Sequence, residues 1–283
     1  ITSYLAIKNI EEYYQMKKPV KKQNERLGVI LIVLCCLVFR SVISTYIVYV
    51  LMFNALYYII HKIFKNKYLD KSFYLTFIIP IVIVIIGNIN VNNIVITRYN
   101  LSNKDISKDI RVAYVSDVHL STLDKKKLDN LVKIVNDNNY DIFVIDGDLV
   151  DEFSTDRKIK DVIEELGSIK TKYGNYYVEG NHDLLTNKIR SYLTENNFIV
   201  LEDSKVLIDD NYYLVGRRDK KDKLRTNLNN LTYNLDKPVI LMDHQPNIEN
   251  NMDPRVIVQL SGHTHAGQIW PLGYFLKYGY YPE

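Results

Sequence analysis

The chain has 283 residues, 36 Lys/Arg against 33 Asp/Glu, and only two cysteines, the adjacent pair Cys35-Cys36 inside an apolar run, which excludes a disulfide framework or a thiolate metal site. Charge is divided unevenly: residues 1–100 carry 12 Lys/Arg against 4 Asp/Glu, or +8, and residues 101–283 carry 24 against 29, or −5. A basic, apolar first half points to a membrane surface, and an acidic second half argues against non-specific nucleic-acid binding.

Residues 1–26 are polar and basic, with Lys17, Lys18, Lys21, Lys22 and Arg26 near their end. The chain opens on Ile rather than Met, so a fragment or processed form is expected. From Leu27 to Phe64 the sequence is almost continuously apolar, broken at Arg40 and Ser41. Leu27–Phe39 is 13 residues, short of the roughly 20 that cross a bilayer as a helix, whereas residues 42–63 are long enough. A basic loop follows (Lys62, Lys65, Lys67, Lys71), then residues 73–89, apolar and just long enough to span. Residues 1–96 are therefore expected to be a membrane region with two to three spans, at about 27–39, 42–63 and 73–89.

The first run is either a pair of spans turning near Arg40 or an interfacial segment followed by one span. A pair puts the basic tail and the basic 62–71 loop on one side, cytoplasmic by the positive-inside rule. The expected protein is then a multi-pass cell-membrane protein with its second half on the extracytoplasmic face. No small-residue cleavage site follows the first run, so it does not read as a cleavable signal. Apart from His61 and Lys62 at the end of the second span, Arg40 is the one Lys, Arg, His, Asp or Glu inside the apolar stretches, which disfavours a transporter.

From residue 97 the texture changes to short strands alternating with amphipathic helices. Strands are expected at 111–116, 141–145, 175–178, 198–201, 205–208, 212–215, 239–242 and 256–260, and helices at 124–138, 158–166 and 184–196. Residues 220–230 read as a Lys/Asn-rich loop entering a short helix. The pattern is an α/β layered domain over residues 97–283.

Five of its strands end in metal-ligand chemistry. Val112–Val115 runs into Ser116-Asp-Val-His119, a carboxylate and an imidazole two residues apart, which face the same way if the strand continues through them. The others run into Asp146-Gly-Asp-Leu-Val-Asp151, Gly180-Asn-His-Asp183, Asp243-His244 and Ser261-Gly-His-Thr-His265. Sites in open α/β sheets lie at the carboxyl ends of strands, and Gly147, Gly180 and Gly262 would let the backbone turn sharply there. Of six histidines, 119, 182, 244, 263 and 265 sit at these ends. His61, at the end of a membrane run, reads as a snorkelling side chain.

The ordered set Asp117-x-His119, Gly147-Asp148-x-x-Asp151, Gly180-Asn181-His182-Asp183, His244 and Gly262-His263-x-His265 resembles the calcineurin-like metallophosphoesterase superfamily, and with the N-terminal membrane region its bacterial membrane-associated branch. The resemblance implies a four-layer α-β-β-α sandwich, here preceded by transmembrane helices. It implies one divalent ion held by Asp117, His119 and His265, a second held by Asn181, His244 and His263, and Asp148 bridging both. Imidazole, amide and carboxylate donors suit Mn, Fe or Zn. His182 is implied over the phosphoryl group as the catalytic acid or transition-state donor, with Asp183 holding its ring. Asp151 reads equally as a helix cap or support and as a catalytic member of its motif, and Asp146 and Asp243 support their neighbours at most.

Arg217 and Arg218, after the strand at 212–215, are candidates for binding substrate phosphate, a solvated charged turn being the alternative. Trp270 and the aromatic tail read as packing residues, contact with lipid or a lipidic substrate being the alternative. The chain stops 18 residues after His265, so the last strands of the second sheet are expected to be missing.

The expected function is membrane-anchored hydrolysis of a phosphomonoester or phosphodiester, with a phosphoester substrate of lipid or envelope type, membrane lipids as partners and no nucleic acid. Two rivals stay open: a nuclease or cyclic-nucleotide phosphodiesterase on the same scaffold, and a catalytically inactive membrane sensor. The presence of all seven implied ligands and His182 weighs against the sensor.

Overall fold

A computed structural model of the chain describes residues 42–64, 72–91, 93–183, 186–246 and 252–265. The expected span at 27–39, Arg40, the lysines at 65, 67 and 71, and the aromatic tail beyond residue 265 lie outside these. The chain divides into two compact units, Ile1–Ile94 and Val95–Glu283.

The described part of the first unit is a pair of helices. Helix α1 (Val42–Phe64) has 23 residues, about 34 Å of rise, and is long and apolar enough to cross a bilayer. Helix α2 (Leu75–Val91) has 17 residues, about 26 Å, at the lower limit for a span. Most of their Ile, Leu and Val side chains are exposed rather than turned into a core. A polar pair joins them: buried Asn54 donates from Nδ2 to Thr76 Oγ1 at 3.2 Å, and also to Val50 O of its own helix at 3.0 Å. Side-chain hydrogen bonds of this kind hold helices together where apolar surface gives no preference for a partner.

In the second unit, strand β1 (Val112–Val115) leads to helix α3 (Lys125–Asp137), strand β2 (Ile142–Asp146) to helix α4 (Asp156–Leu166), and strand β3 (Asn175–Val178) to helix α5 (Asn187–Glu195) and strand β4 (Phe198–Val200). These four strands form a parallel sheet in the order β1-β2-β3-β4. Strand β5 (Ser204–Ile208) turns back antiparallel onto β6 (Tyr212–Gly216). Helix α6 (Leu228–Thr232) follows, and β7 (Val239–Met242) and β8 (Val256–Leu260) complete a second sheet, β5-β6-β7-β8.

The helix starts follow local chemistry. Asp124 caps α3 by accepting Lys127 N at 2.8 Å, and Thr155 and Thr186 cap α4 and α5 in the same way. Thr155 starts α4 two residues before the sequence pattern suggests, and α5 starts at Asn187 rather than 184 because Thr186 is the cap.

Residue alternation assigns the layers. Phe143 and Ile145 of β2 pack with Leu128, Val132, Ile163 and Leu193 of the three helices. Ile142 and Val144 face the other way and meet Ile208, Leu214, Ile240 and Met242 of the second sheet. On its far face, Val215, Val239 and Leu241 pack against Leu228 and Leu231 of α6. This is the four-layer α-β-β-α sandwich, with a single short helix as the outer layer of the second sheet among the described residues. Strand β2 is buried on both faces, so only its carboxyl end is free for chemistry.

Candidate metal centre

The parallel strands of both sheets deliver their carboxyl ends to one edge, and the loops there carry every ligand candidate. Strand β1 stops at Val115, so Asp117 and His119 do not face one way through the strand pleat, as their spacing suggests. They lie in a loop that runs beside the loop after β2: Asp117 N donates to Gly147 O, His119 N to Asp148 O and Leu120 N to Leu149 O, at 2.9–3.1 Å. Asp117, His119, Asp148, His263 and His265 all have φ between 46° and 69°. Left-handed backbone is uncommon outside glycine and gathers at functional sites, and here it marks five of the seven implied ligands.

Of the three site glycines, Gly147 is the left-handed one, at φ +80°. Gly262 serves close approach instead. A Cβ there would run into Ser116 Oγ and the Asp117 carboxylate.

Two groups of ligand atoms result, each with its atoms within 4.8 Å of one another: Asp117, His119, Asp148 and His265, and Asp148, His244 and His263. Asp148 belongs to both. In the first group the His119 and His265 rings stack 5.1 Å apart, with their Nε2 atoms 3.4 Å from each other and His265 Nε2 3.4 Å from Asp117 Oδ1. In the second, His244 Nε2 lies 3.2 Å from Asp148 Oδ2. Asn181 joins this group, its Oδ1 2.6 Å from His263 Nδ1.

The electrostatics suit cations. His244 Nδ1 lies 2.7 Å from the Asp146 carbonyl, which can only accept, so the proton sits on Nδ1 and the Nε2 lone pair faces Asp148. Both Nε2 and Asp148 Oδ2 are buried without a hydrogen bond. Either a cation or a second ring proton must relieve them. Without a cation, burial opposes the charged ring, but the Asp148 carboxylate outweighs it and pushes His244 up to about 9. Burial lowers His119 and His263, which keeps them in the neutral form that binds metal. Burial also works against the Asp148 carboxylate, yet His244 and the His182 N–H hold it below its ordinary range. The donor set and the bare inward lone pairs fit divalent ions.

His182 is half exposed at the rim of the first group, 5.4 Å from the His119 ring. Asp183 does not hold it. The buried Asp183 carboxylate accepts Val150 N at 2.7 Å and Gly180 N at 2.8 Å, tying the loop after β2 to the loop after β3, because it points inward where its neighbour points out. Burial pushes it up to about 6 against those two donors. The carboxylate beside His182 is Glu152, 3.6 Å from Nδ1. Asp151 accepts Ser121 N and Phe153 N, a supporting role.

Arg217 and Arg218 are engaged elsewhere. Arg217 is 5% exposed, with Nη1 3.2 Å from Asp243 and Nη2 on Thr226 O. Arg218 meets Asp222, Glu202 and Asp203. The nearest anions to both guanidiniums are protein carboxylates brought in by β7, the β4–β5 turn and their own loop.

Sequence reasoning passed over Ser116, whose Oγ lies 2.8 Å from both Asp117 Oδ2 and the Asp146 carbonyl. It also passed over that carbonyl as the partner of His244, since a main-chain group leaves no residue signal. Asp146 itself is fully buried and its carboxyl is raised well above the usual range by that burial.

Residues 110–267 match the family model described as calcineurin-like phosphoesterase. A transmembrane protein with metallophosphoesterase domain from Danio rerio is 32% identical over 186 residues, covering 58% of this chain and 42% of that protein. An uncharacterized metallophosphoesterase of Helicobacter pylori is 32% identical over 184 residues, covering 61% and 49%. The uncharacterized metallophosphoesterase YkoQ of Bacillus subtilis is 28% identical over 204 residues, covering 67% and 75%. The chain thus spans about half the length of the first two. A solved structure, TT1561 of Thermus thermophilus, superposes with a TM-score of 0.40 at 15% identity, over 51% of this chain and 72% of that one.

Proposed function

Because the chain belongs to the calcineurin-like phosphoesterase family, we propose that it is a membrane-anchored, two-metal phosphoesterase acting on a phosphomonoester or phosphodiester of lipid or envelope type. The observation that carries this is Asp148, buried between two groups of imidazoles and facing both.

Asp117, His119 and His265 would hold one ion of the Mn, Fe or Zn class, Asn181, His244 and His263 a second, and Asp148 both. When bound, such ions lower the pKa of an attacking water and draw charge from phosphoryl oxygens. The chain's own residues do the rest. Asp146, through its carbonyl, and Ser116 fix the orientation of His244 and Asp117. His182, outside the ligand set and open to solvent, would give a proton to the departing oxygen. Asp183 and Gly180 hold the loop that places it.

The apolar length of α1, and the relatives described as transmembrane proteins, support membrane anchoring. Basic residues on both flanks of the first apolar run support a multi-pass topology with the metal-binding unit extracytoplasmic. Anchoring brings the site to a lipid or envelope substrate.

The test is hydrolysis of p-nitrophenyl phosphate and bis-p-nitrophenyl phosphate by the detergent-solubilised full-length chain with Mn²⁺, beside Asp148→Asn and His182→Ala. Metal-dependent turnover lost in both variants is the expected result, with metal content lost in the first only. Tightly bound metal without turnover of any ester would replace the enzyme with a sensor.

A further inference from the structure

The loop between β6 and α6, residues 217–227, carries six basic residues against two acidic ones, in a half-chain whose net charge is −5. Its acids are spent internally. Asp222 accepts Arg218 Nη1 at 3.0 Å and Leu224 N at 2.8 Å, and Asp219 accepts Gln245 Nε2 at 2.9 Å and Lys221 N at 2.8 Å. Arg225 forks onto Asp243 at 3.0 and 2.5 Å, where Arg217 also lands. Asp203, from the β4–β5 turn, accepts Thr226 N at 2.7 Å and Arg218 N at 3.1 Å.

These bonds make a stiff frame. What it turns outward is Lys220, Lys221, Lys223 and Leu224, all exposed, the leucine by 76%. Among the described residues the Lys221 and Lys223 ammoniums make no ion pair. The loop stands at the metal-centre edge: Asp219 reaches Gln245, next to His244. Phe153, 59% exposed, stands on the loop after β2 at the same edge.

We propose that residues 217–227 form an interfacial anchor that docks this edge onto an anionic bilayer surface, with the lysines among lipid phosphates and Leu224 in the acyl boundary. This rests on the membrane-anchored reading above and adds where the unit meets lipid. A single exposed leucine is unremarkable. Its place at the tip of an ordered loop, flanked by lysines whose acidic neighbours are neutralised from inside, is the pattern of an interfacial segment. Each lysine near an anionic surface is worth roughly fivefold in affinity. A nucleic acid fits less well, since the loop offers no aromatic ring for stacking and the half-chain around it is acidic.

The test uses the full-length chain with Cys35→Ser, Cys36→Ser and Leu224→Cys, labelled at position 224 with an environment-sensitive fluorophore. The protein is reconstituted into vesicles of phosphatidylcholine, alone or with a third phosphatidylglycerol, containing shallow doxyl-lipid quenchers. The expected result is quenching several times stronger in the anionic vesicles, returned to the neutral-vesicle level by Lys221→Glu with Lys223→Glu. Flotation separates the readings. Protein that floats with both vesicles while the label stays in water overturns docking alone; protein that floats with neither overturns the anchor as well. A label that responds to added DNA and not to anionic lipid would assign the loop to a polynucleotide and overturn the proposal.

Discussion

Asp243→Asn is the substitution that best tests the frame behind the metal centre. The Asp243 carboxylate is 1% exposed and carries two guanidiniums, Arg217 at 3.2 Å and Arg225 in a fork at 3.0 and 2.5 Å. Burial lifts its pKa above the ordinary range, against the pull of both arginines. An amide removes the negative charge and one of two acceptors from beside Arg217, a cation only 5% exposed. Breaking a buried ion pair from one side costs about 3–5 kcal/mol. Arg225→Gln instead leaves the Arg217–Asp243 pair in place and costs about 1.5–3 kcal/mol, the range for hydrogen bonds to charged groups. At about 2–4 °C per kcal/mol for a unit of this size, Asp243→Asn should lower Tm by roughly 6–20 °C. Calorimetry of the solubilised full-length protein at fixed metal concentration reads both variants. If Asp243→Asn melts within about 2 °C of wild type, or is milder than Arg225→Gln, the carboxylate is not the hub of this frame.

Gly262→Ala drives a methyl group into Ser116 Oγ and the Asp117 carboxylate, which also receives His263 N at 2.9 Å; metal affinity should fall about 10–100-fold by titration with inductively coupled plasma readout. Ile145→Ala, at a fully buried position between the first sheet and its helices, should cost about 2–5 kcal/mol in urea unfolding. Asp253 is held below the usual carboxylate range by its hydrogen bonds from Arg255, with Oδ2 at 2.5 Å from Nη2 and Oδ1 at 2.8 Å from Nε. A depressed carboxyl stabilises the fold above its unfolded pKa and loses that effect as pH falls. Asp253→Asn should therefore be less stable by about 1–2 kcal/mol at pH 7, and the gap should narrow once melts are run below about pH 4. A gap that widens on acidification would refute the assignment.

The strands and helices of the second unit were legible because each carries its own local cause. Alternating or continuous apolar runs set the strands, and Asp124, Thr155 and Thr186 set the helix starts. The chemistry was legible too, since five histidines at strand ends are a statement about residue identity. Reading Asp117 and His119 as neighbours on a strand face reached the correct convergence by the wrong route. Their meeting depends on left-handed backbone and on the loop after β2, which a two-residue period does not describe.

Partnership was the illegible part. Asp183 and His182 are adjacent in the chain, yet the first is turned into the frame and the second out to the rim. Arg217 and Arg218 have the right chemistry for phosphate, and only the fold reveals the four carboxylates already waiting for them. The sequence by itself determined which side chains can bind metal and which strands they follow, because those properties reside in single residues and short spacings. Only the tertiary structure decided which of them meet. Asp148 comes from one sheet and His244 from the other, nearly a hundred residues apart, and it is the packing of two hydrophobic faces that sets them 3.2 Å from each other.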